Sequence, residues 1–172
     1  MSTLPQIFMR HPDISNLPPL ALPKGICLHN HIEGKEDNWE DLIERSFGTH
    51  YSFEKFFLDG WGYKSEYILY LSKDGKDIAT AAAVENAQFP GEGWFHMLGV
   101  DPDCRGIGAG KIISLAVLHL MAARGFKSAV LSTDDERLSA IKIYLDLGFR
   151  PIFTHESHEK RWAQIYKKLN IE

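Results

Sequence analysis

The run Arg105-Gly106-Ile107-Gly108-Ala109-Gly110-Lys111 sets three glycines at alternate positions between two cations. Glycine in ordered structure costs conformational entropy and adds no packing, so such a run marks a place where the backbone itself must be reached. The β-rich stretch "WFHMLGV" precedes it, and a long apolar stretch opening at Lys111 follows it. A strand, a glycine loop and a helix in that order present the unpaired N–H groups of the first helical turn, and the positive end of the helix dipole, at the loop. That is an anion site, and phosphate is its usual guest. Missing Cβ atoms let oxygens approach the amides, and Arg105 and Lys111 add charge. The chemistry expected is the binding of a pyrophosphate along Arg105 to Lys111.

Two common forms of this device do not fit. A P-loop needs glycine five residues before its Gly-Lys pair and Ser or Thr after it; Arg105 and Ile112 stand at those places. A dinucleotide fingerprint needs G-x-G-x-x-G and an acidic residue some twenty positions on. Here Lys111 takes the third glycine's place, and Asp134 lies too far along.

The elements that position the loop can be read from periodicity. "GICLHNHI" alternates as a first strand, and "EDNWEDLIERSF" sets Trp39, Leu42, Ile43 and Phe47 at helical spacing behind an acidic start. "SFEKFFLDGWG" reads as a short helix and loop. "EYILYLS", the turn around Asp74-Gly75, "DIATAAAVE", a second turn and "WFHMLGV" form an antiparallel meander from Glu66 to Val100. "KIISLAVLHLMAARG" is an apolar helix stopped by Gly125, and "KSAVLST" is a strand. "DDERLSAIKIYLDLG" is a helix that starts on acidic residues and stops at Gly148, and "FRPIFTHE" and "RWAQIYKKL" are expected as two final antiparallel strands. Residues 1–22, with Pro5, Pro12, Pro18 and Pro19, read as an extended, loosely attached leader, and residues 23–172 as one domain.

Bulk composition narrows the classes. The chain has 172 residues, 44% of them hydrophobic, enough for a single core. A net charge of −4 gives no basic excess for nucleic acid or a membrane surface. There is no signal-peptide pattern and no apolar run long enough to span a bilayer. Cys27 and Cys104 are too few for a disulfide framework. The reading is a cytoplasmic protein with reduced thiols.

Leu98 to Gly110 resembles the CoA-binding motif of the GNAT superfamily of acyl-CoA N-acyltransferases. Its pattern, Arg/Gln-x-x-Gly-x-Gly/Ala, is matched by Arg105, Gly108 and Gly110. Upstream, "LGVDPDCRG" looks like the strand end and turn that lead into that loop. Downstream, "LSTDDERLSAIKIYLDLGFRP" resembles the family's second motif through Ala140, Tyr144 and Gly148-Phe149. The resemblance covers Glu66 to Pro151. It departs at Arg137, where members often carry Asn.

The resemblance implies an α/β fold of the α+β type: a mixed, mostly antiparallel sheet with splayed middle strands and helices on both faces. It implies acetyl-CoA as co-substrate, no metal, and acyl transfer to a primary amine of a small molecule or peptide by direct attack. Leu98, Gly99 and Val100 would pair with the pantetheine arm, the Leu98 N–H polarising the thioester carbonyl. Arg105, Gly106, Ile107, Gly108, Ala109, Gly110 and Lys111 would hold the pyrophosphate. Tyr144 would protonate the leaving thiolate. Two base candidates remain. His96 lies two residues before Leu98 and so is expected on its sheet face; Glu85 ends "ATAAAVE" near the same edge.

An alternative is a catalytically silent CoA-binding sensor or interaction module with the same fold. His29-x-His31 and His155-x-x-His158 lack a further ligand that would complete a metal site. "THESHEKRW" falls where the family lines an acceptor pocket or an oligomer contact, and a homodimer stands among the expectations.

Overall fold

The computed structural model describes residues 4–58 and 63–171. Residues 59–62, the end of the expected short helix and loop, lie outside that description. The elements in chain order are β1 (Ile7–His11), β2 (Ile26–Asn30), α1 (Glu36–Phe47), a π-helical turn (Glu54–Leu58), β3 (Ile68–Lys73), β4 (Lys76–Val84), β5 (Gly93–Val100), α2 (Ala109–Ala123), β6 (Ala129–Thr133), α3 (Leu138–Asp146), β7 (Arg150–Ile152) and α4 (His158–Leu169).

One seven-stranded sheet runs in the order β2-β3-β4-β5-β6-β1-β7. The β3-β4-β5 meander forms as its alternation and turn chemistry require. Alternation then sends successive side chains to opposite faces. Tyr70, Ala82, Val84 and Trp94 pack with Trp39, Leu42 and Ile43 of α1 and with Phe57 of the π turn. Leu71, Ala81, Ala83 and Phe95 pack with Ile113 and Val117 of α2, Ile141 of α3 and Trp162 of α4. The sheet is therefore covered on both faces, as the resemblance implies. The α2 helix is apolar around most of its girth because the sheet and α3 both press on it.

All neighbouring strands are antiparallel except β5 and β6. These two run parallel and pair only at Gly93↔Ala129 and Trp94↔Val130. Beyond Trp94 they part, which is the expected splay.

Three expectations change. The leader is not loose: Ile7–His11 lies between β6 and β7, with Met9 opposite Leu131 on one side and Pro151 on the other. "RWAQIYKKL" is not a strand, because β1 takes the place beside β7 and β6. The segment instead forms α4, in which His158, Trp162 and Ile165 share a buried face at four- and three-residue spacing. The acidic start of α3 is also displaced. Asp134 and Asp135 belong to the preceding turn, where Asp135 takes both arms of the Arg161 guanidinium of α4, at 2.7 and 2.8 Å.

Met9 is fully buried in an interior strand. Met9→Ala should cost about 2–5 kcal/mol in urea unfolding, the range for deleting such a side chain from a core. Deleting residues 1–12 should abolish the cooperative transition; an unchanged midpoint would show that the strand contributes nothing.

Candidate active site

The turn after β5 is fixed by Asp101. Its side chain is 2% exposed and has three partners. One oxygen accepts the Asp103 N–H at 3.0 Å; the other accepts Lys76 Nζ of β4 at 2.8 Å and Arg45 of α1. The bond from Lys76, with smaller contributions from the Asp103 amide and Arg45, holds the Asp101 carboxyl below the usual carboxylate range. One carboxylate thus ties α1, β4 and the approach to the glycine loop together.

From there the chain turns through Gly106 and Gly108, both left-handed with φ near +85° (83° and 85°), a conformation that disfavours any residue with a Cβ. Gly108 is the N-cap of α2. As a glycine the N-cap offers no side-chain cap, and no acidic residue stands in the first turn. The first helical bond runs from Ile112 N–H to Gly108 C=O, so the amides before Ile112 face outward with the positive end of the dipole. The strand, glycine loop and helix start expected from the sequence are formed.

It opens on a cleft of about 740 Å³, within the ordinary size of a small-molecule site. Leu98 and Val100 form one wall, the Arg105–Lys111 loop the end, and Arg137, Ala140 and Ile143 of α3 the other wall. The cleft is the gap that β6 leaves beside β5. The Asp101 N–H bonds Ile78 of β4, so the Val100 N–H points away from β4, into the gap. Alternation gives the Leu98 N–H the same direction.

Tyr144 lies beside Phe95, the first residue of β5 beyond its last pair with β6. The phenol ring is edge-on to Phe95 and Phe149, with centroids 5.5 and 5.8 Å away. It is 5% exposed, and burial pushes its pKa above the ordinary 10. The hydroxyl is therefore protonated at neutral pH.

The two base candidates are not brought together. Met97 has φ +52°, and Met97 and Leu98 together oppose the single residue Ala81. This bulge inverts the alternation. His96 faces α1 and the π turn while Leu98 faces α2, so the expectation of a shared face is wrong by one residue. His96 donates Nε2–H to the Phe56 carbonyl at 3.1 Å and stands edge-on to Phe57. Burial lowers its pKa from 6.5 to about 4. Glu85 lies just past the far end of β4, about 16 Å along the chain from Thr80, which pairs with Gly99. Its carboxylate is 64% exposed and pairs with Arg124 at 3.1 Å.

Gly99 has a structural cause: a Cβ there would come within 2.7 Å of Ile43 Cδ1, so its absence seats α1 on β5. The histidine pairs are engaged elsewhere. His29 bonds Asp77 and His31 bonds Tyr70, while His155 bonds Ser157 and His158 accepts the Thr154 N–H. The sequence reading missed Ser46 and Phe47, which end α1 and line the cleft. Nothing local marks them, because the loop they touch lies more than fifty residues on.

The model of the acetyltransferase (GNAT) family matches residues 35–149. The chain belongs to that family. Among relatives, a mycothiol acetyltransferase of Kytococcus sedentarius is 28% identical over 148 residues, covering 80% of this chain and 49% of its own length. A mycothiol acetyltransferase of Thermobispora bispora is 29% identical over 154 residues, covering 82% and 52%. The chain thus spans about half the length of these relatives. A GCN5-related N-acetyltransferase from Sphaerobacter thermophilus superposes with a TM-score of 0.71 at 24% identity, over 87% of this chain and 50% of its own. That likeness shows the GNAT fold.

The low pKa of His96 has a stability consequence. Between about pH 6.5 and 4 the unfolded chain takes a proton at His96 that the folded chain refuses, so stability falls as pH falls through that window. His11, His31 and His158 are lowered by burial in the same direction. Between pH 7 and 4.5 thermal unfolding should shift to lower temperature, with His96 contributing up to about 3 kcal/mol. His96→Gln should flatten the dependence, and an equally steep profile in that variant would refute the assignment.

Proposed function

We propose that the chain transfers an acetyl group from acetyl-CoA to a primary amine of a small molecule or peptide. The observation that carries this reading is the N-terminus of α2, with a glycine N-cap and no acidic residue in its first turn, opening on the gap where β5 leaves β6. The donor fits what is there: outward amides and Arg105 and Lys111 for a pyrophosphate, and strand N–H groups at Leu98 and Val100 for the amide-rich pantetheine arm. Acetyl-CoA supplies an activated thioester, whose carbonyl the amine attacks while CoA leaves as the thiolate.

The chain's own residues then have distinct tasks. The loop from Arg105 to Lys111 neutralises and orients the diphosphate. The Leu98 N–H stabilises charge that develops on the carbonyl oxygen. Tyr144, kept protonated by burial, gives its proton to the leaving sulfur. His96 is retained as the base for its place across the bulge from Leu98 on the α1 face. Glu85 is set aside for its distance and its pairing with Arg124. The relatives are named for mycothiol; for this chain the acceptor is proposed only as an amine.

Thermal unfolding with acetyl-CoA, CoA, NADPH and ATP tests the donor. Only the first two should raise the midpoint; a ligand at a hundred times its Kd adds about 2.7 kcal/mol. Arg105→Ala should weaken CoA binding about tenfold, the scale of one charge-assisted bond. Tyr144→Phe should lower turnover by about 10²-fold or more with CoA affinity kept. Unchanged affinity in the first variant, or unchanged turnover in the second, removes that residue's role. Binding without thiol release across an amine panel would identify a silent CoA-binding module instead.

A further inference from the structure

The last turn of α1 holds the groups that the donor would need. Ser46 Oγ accepts the Val100 N–H at 3.0 Å, and the Ser46 carbonyl accepts Arg105 Nη2 at 3.1 Å. Next to it, the Phe47 ring lies 4.3 Å beneath the Arg137 guanidinium, which also pairs with Asp134 at 3.1 Å. Ser46, Phe47, Val100, Arg105 and Arg137 all line the same cleft. The turn therefore reaches from one wall to the other and takes up both a strand donor and the loop arginine.

We propose that this turn is a self-occupying latch on the acyl-CoA cleft, and that donor binding displaces Ser46 and Phe47 from it. The inference rests on the donor reading above. A backbone N–H makes one good hydrogen bond. A pantetheine carbonyl at Val100 must take that bond from Ser46, and a diphosphate at Arg105 must take the guanidinium from the Ser46 carbonyl. Binding is thus an exchange of partners, and its net gain is smaller than the new contacts alone would give.

The displaced turn has somewhere to pass its motion. Gly48 closes α1 in the left-handed conformation, φ +72°, with its N–H on the Glu44 carbonyl at 2.7 Å. From Gly48 the chain runs through Tyr51, edge-on to Phe47 at 5.6 Å and to Phe56 at 5.2 Å, into the π turn. Phe56 and Phe57 of that turn cover His96. A chain of touching rings therefore links the latch to the α1 face of β5, where the proposed base stands.

Titration calorimetry with CoA, on wild type, Ser46→Ala and Ser46→Thr, tests the latch. Ser46→Ala leaves Val100 with no bond to surrender, so CoA should bind about two- to tenfold tighter, the range of one hydrogen bond. Ser46→Thr keeps the hydroxyl and should behave as wild type. Wild type that binds CoA, with equal or weaker binding by Ser46→Ala, overturns the latch and leaves the donor reading standing. If neither wild type nor variant binds CoA, the donor reading fails and the latch with it. Amide exchange on the wild type covers a variant that does not fold. CoA should speed exchange at residues 45–48 and slow it at residues 106–112, whereas slowing at both would overturn the latch.

Discussion

The structure depends on one interruption: β5 and β6 pair at two positions and then separate. A parallel pair that ran its full length would bury its backbone donors in a ladder and leave nothing between the strands. Here the pairing stops at Trp94, and a bulge at Met97 interrupts β5 just beyond it. The strand's outer N–H groups then face a cleft. The α2 helix begins beside the end of that strand, so the dipole of one element and the outer edge of another meet in one cavity. Both are backbone features, which is why the site can be built with few special side chains.

Opening a sheet in this way costs ladder bonds, and the surroundings offset the loss by local fixing. Asp101 is the clearest case. It holds a lysine from β4, an arginine from α1 and its own turn at one buried carboxylate. Removing either cation alone would leave a buried negative charge short of a partner. Behind α3, Tyr144 is packed edge-on against Phe95 and Phe149.

Much of this was legible in the residues. The glycine loop between cations, the meander from Glu66 to Val100 and the spacing of Tyr144 from Gly148-Phe149 each carry local signals, and each lies where those signals put it. What was not legible depends on distance in the chain or on a single backbone angle. The positive φ at Met97 inverts the faces of His96 and Leu98, and no residue type announces it. Ser46 meets Val100 only because α1 crosses β5. The strand expected over "RWAQIYKKL" fails against the helical spacing of His158, Trp162 and Ile165. That segment had no strand to be, because β1 had filled the position.

The place of β1 also orders events in time. Ile7 pairs with Thr133, and Phe8 with Ile152, so β1 cannot settle until β6 and β7, more than a hundred residues on, exist. Closing so large a loop adds entropy slowly with length, but it must precede any reward from the contacts. The meander from β3 to β5 can close on short turns meanwhile. Until β1 arrives, β6 and β7 each present an unpaired edge to other chains. In a cell this protein is most open to misassociation in that interval, and crowding by sister copies would be felt at the β6–β7 end before it is felt at the cleft.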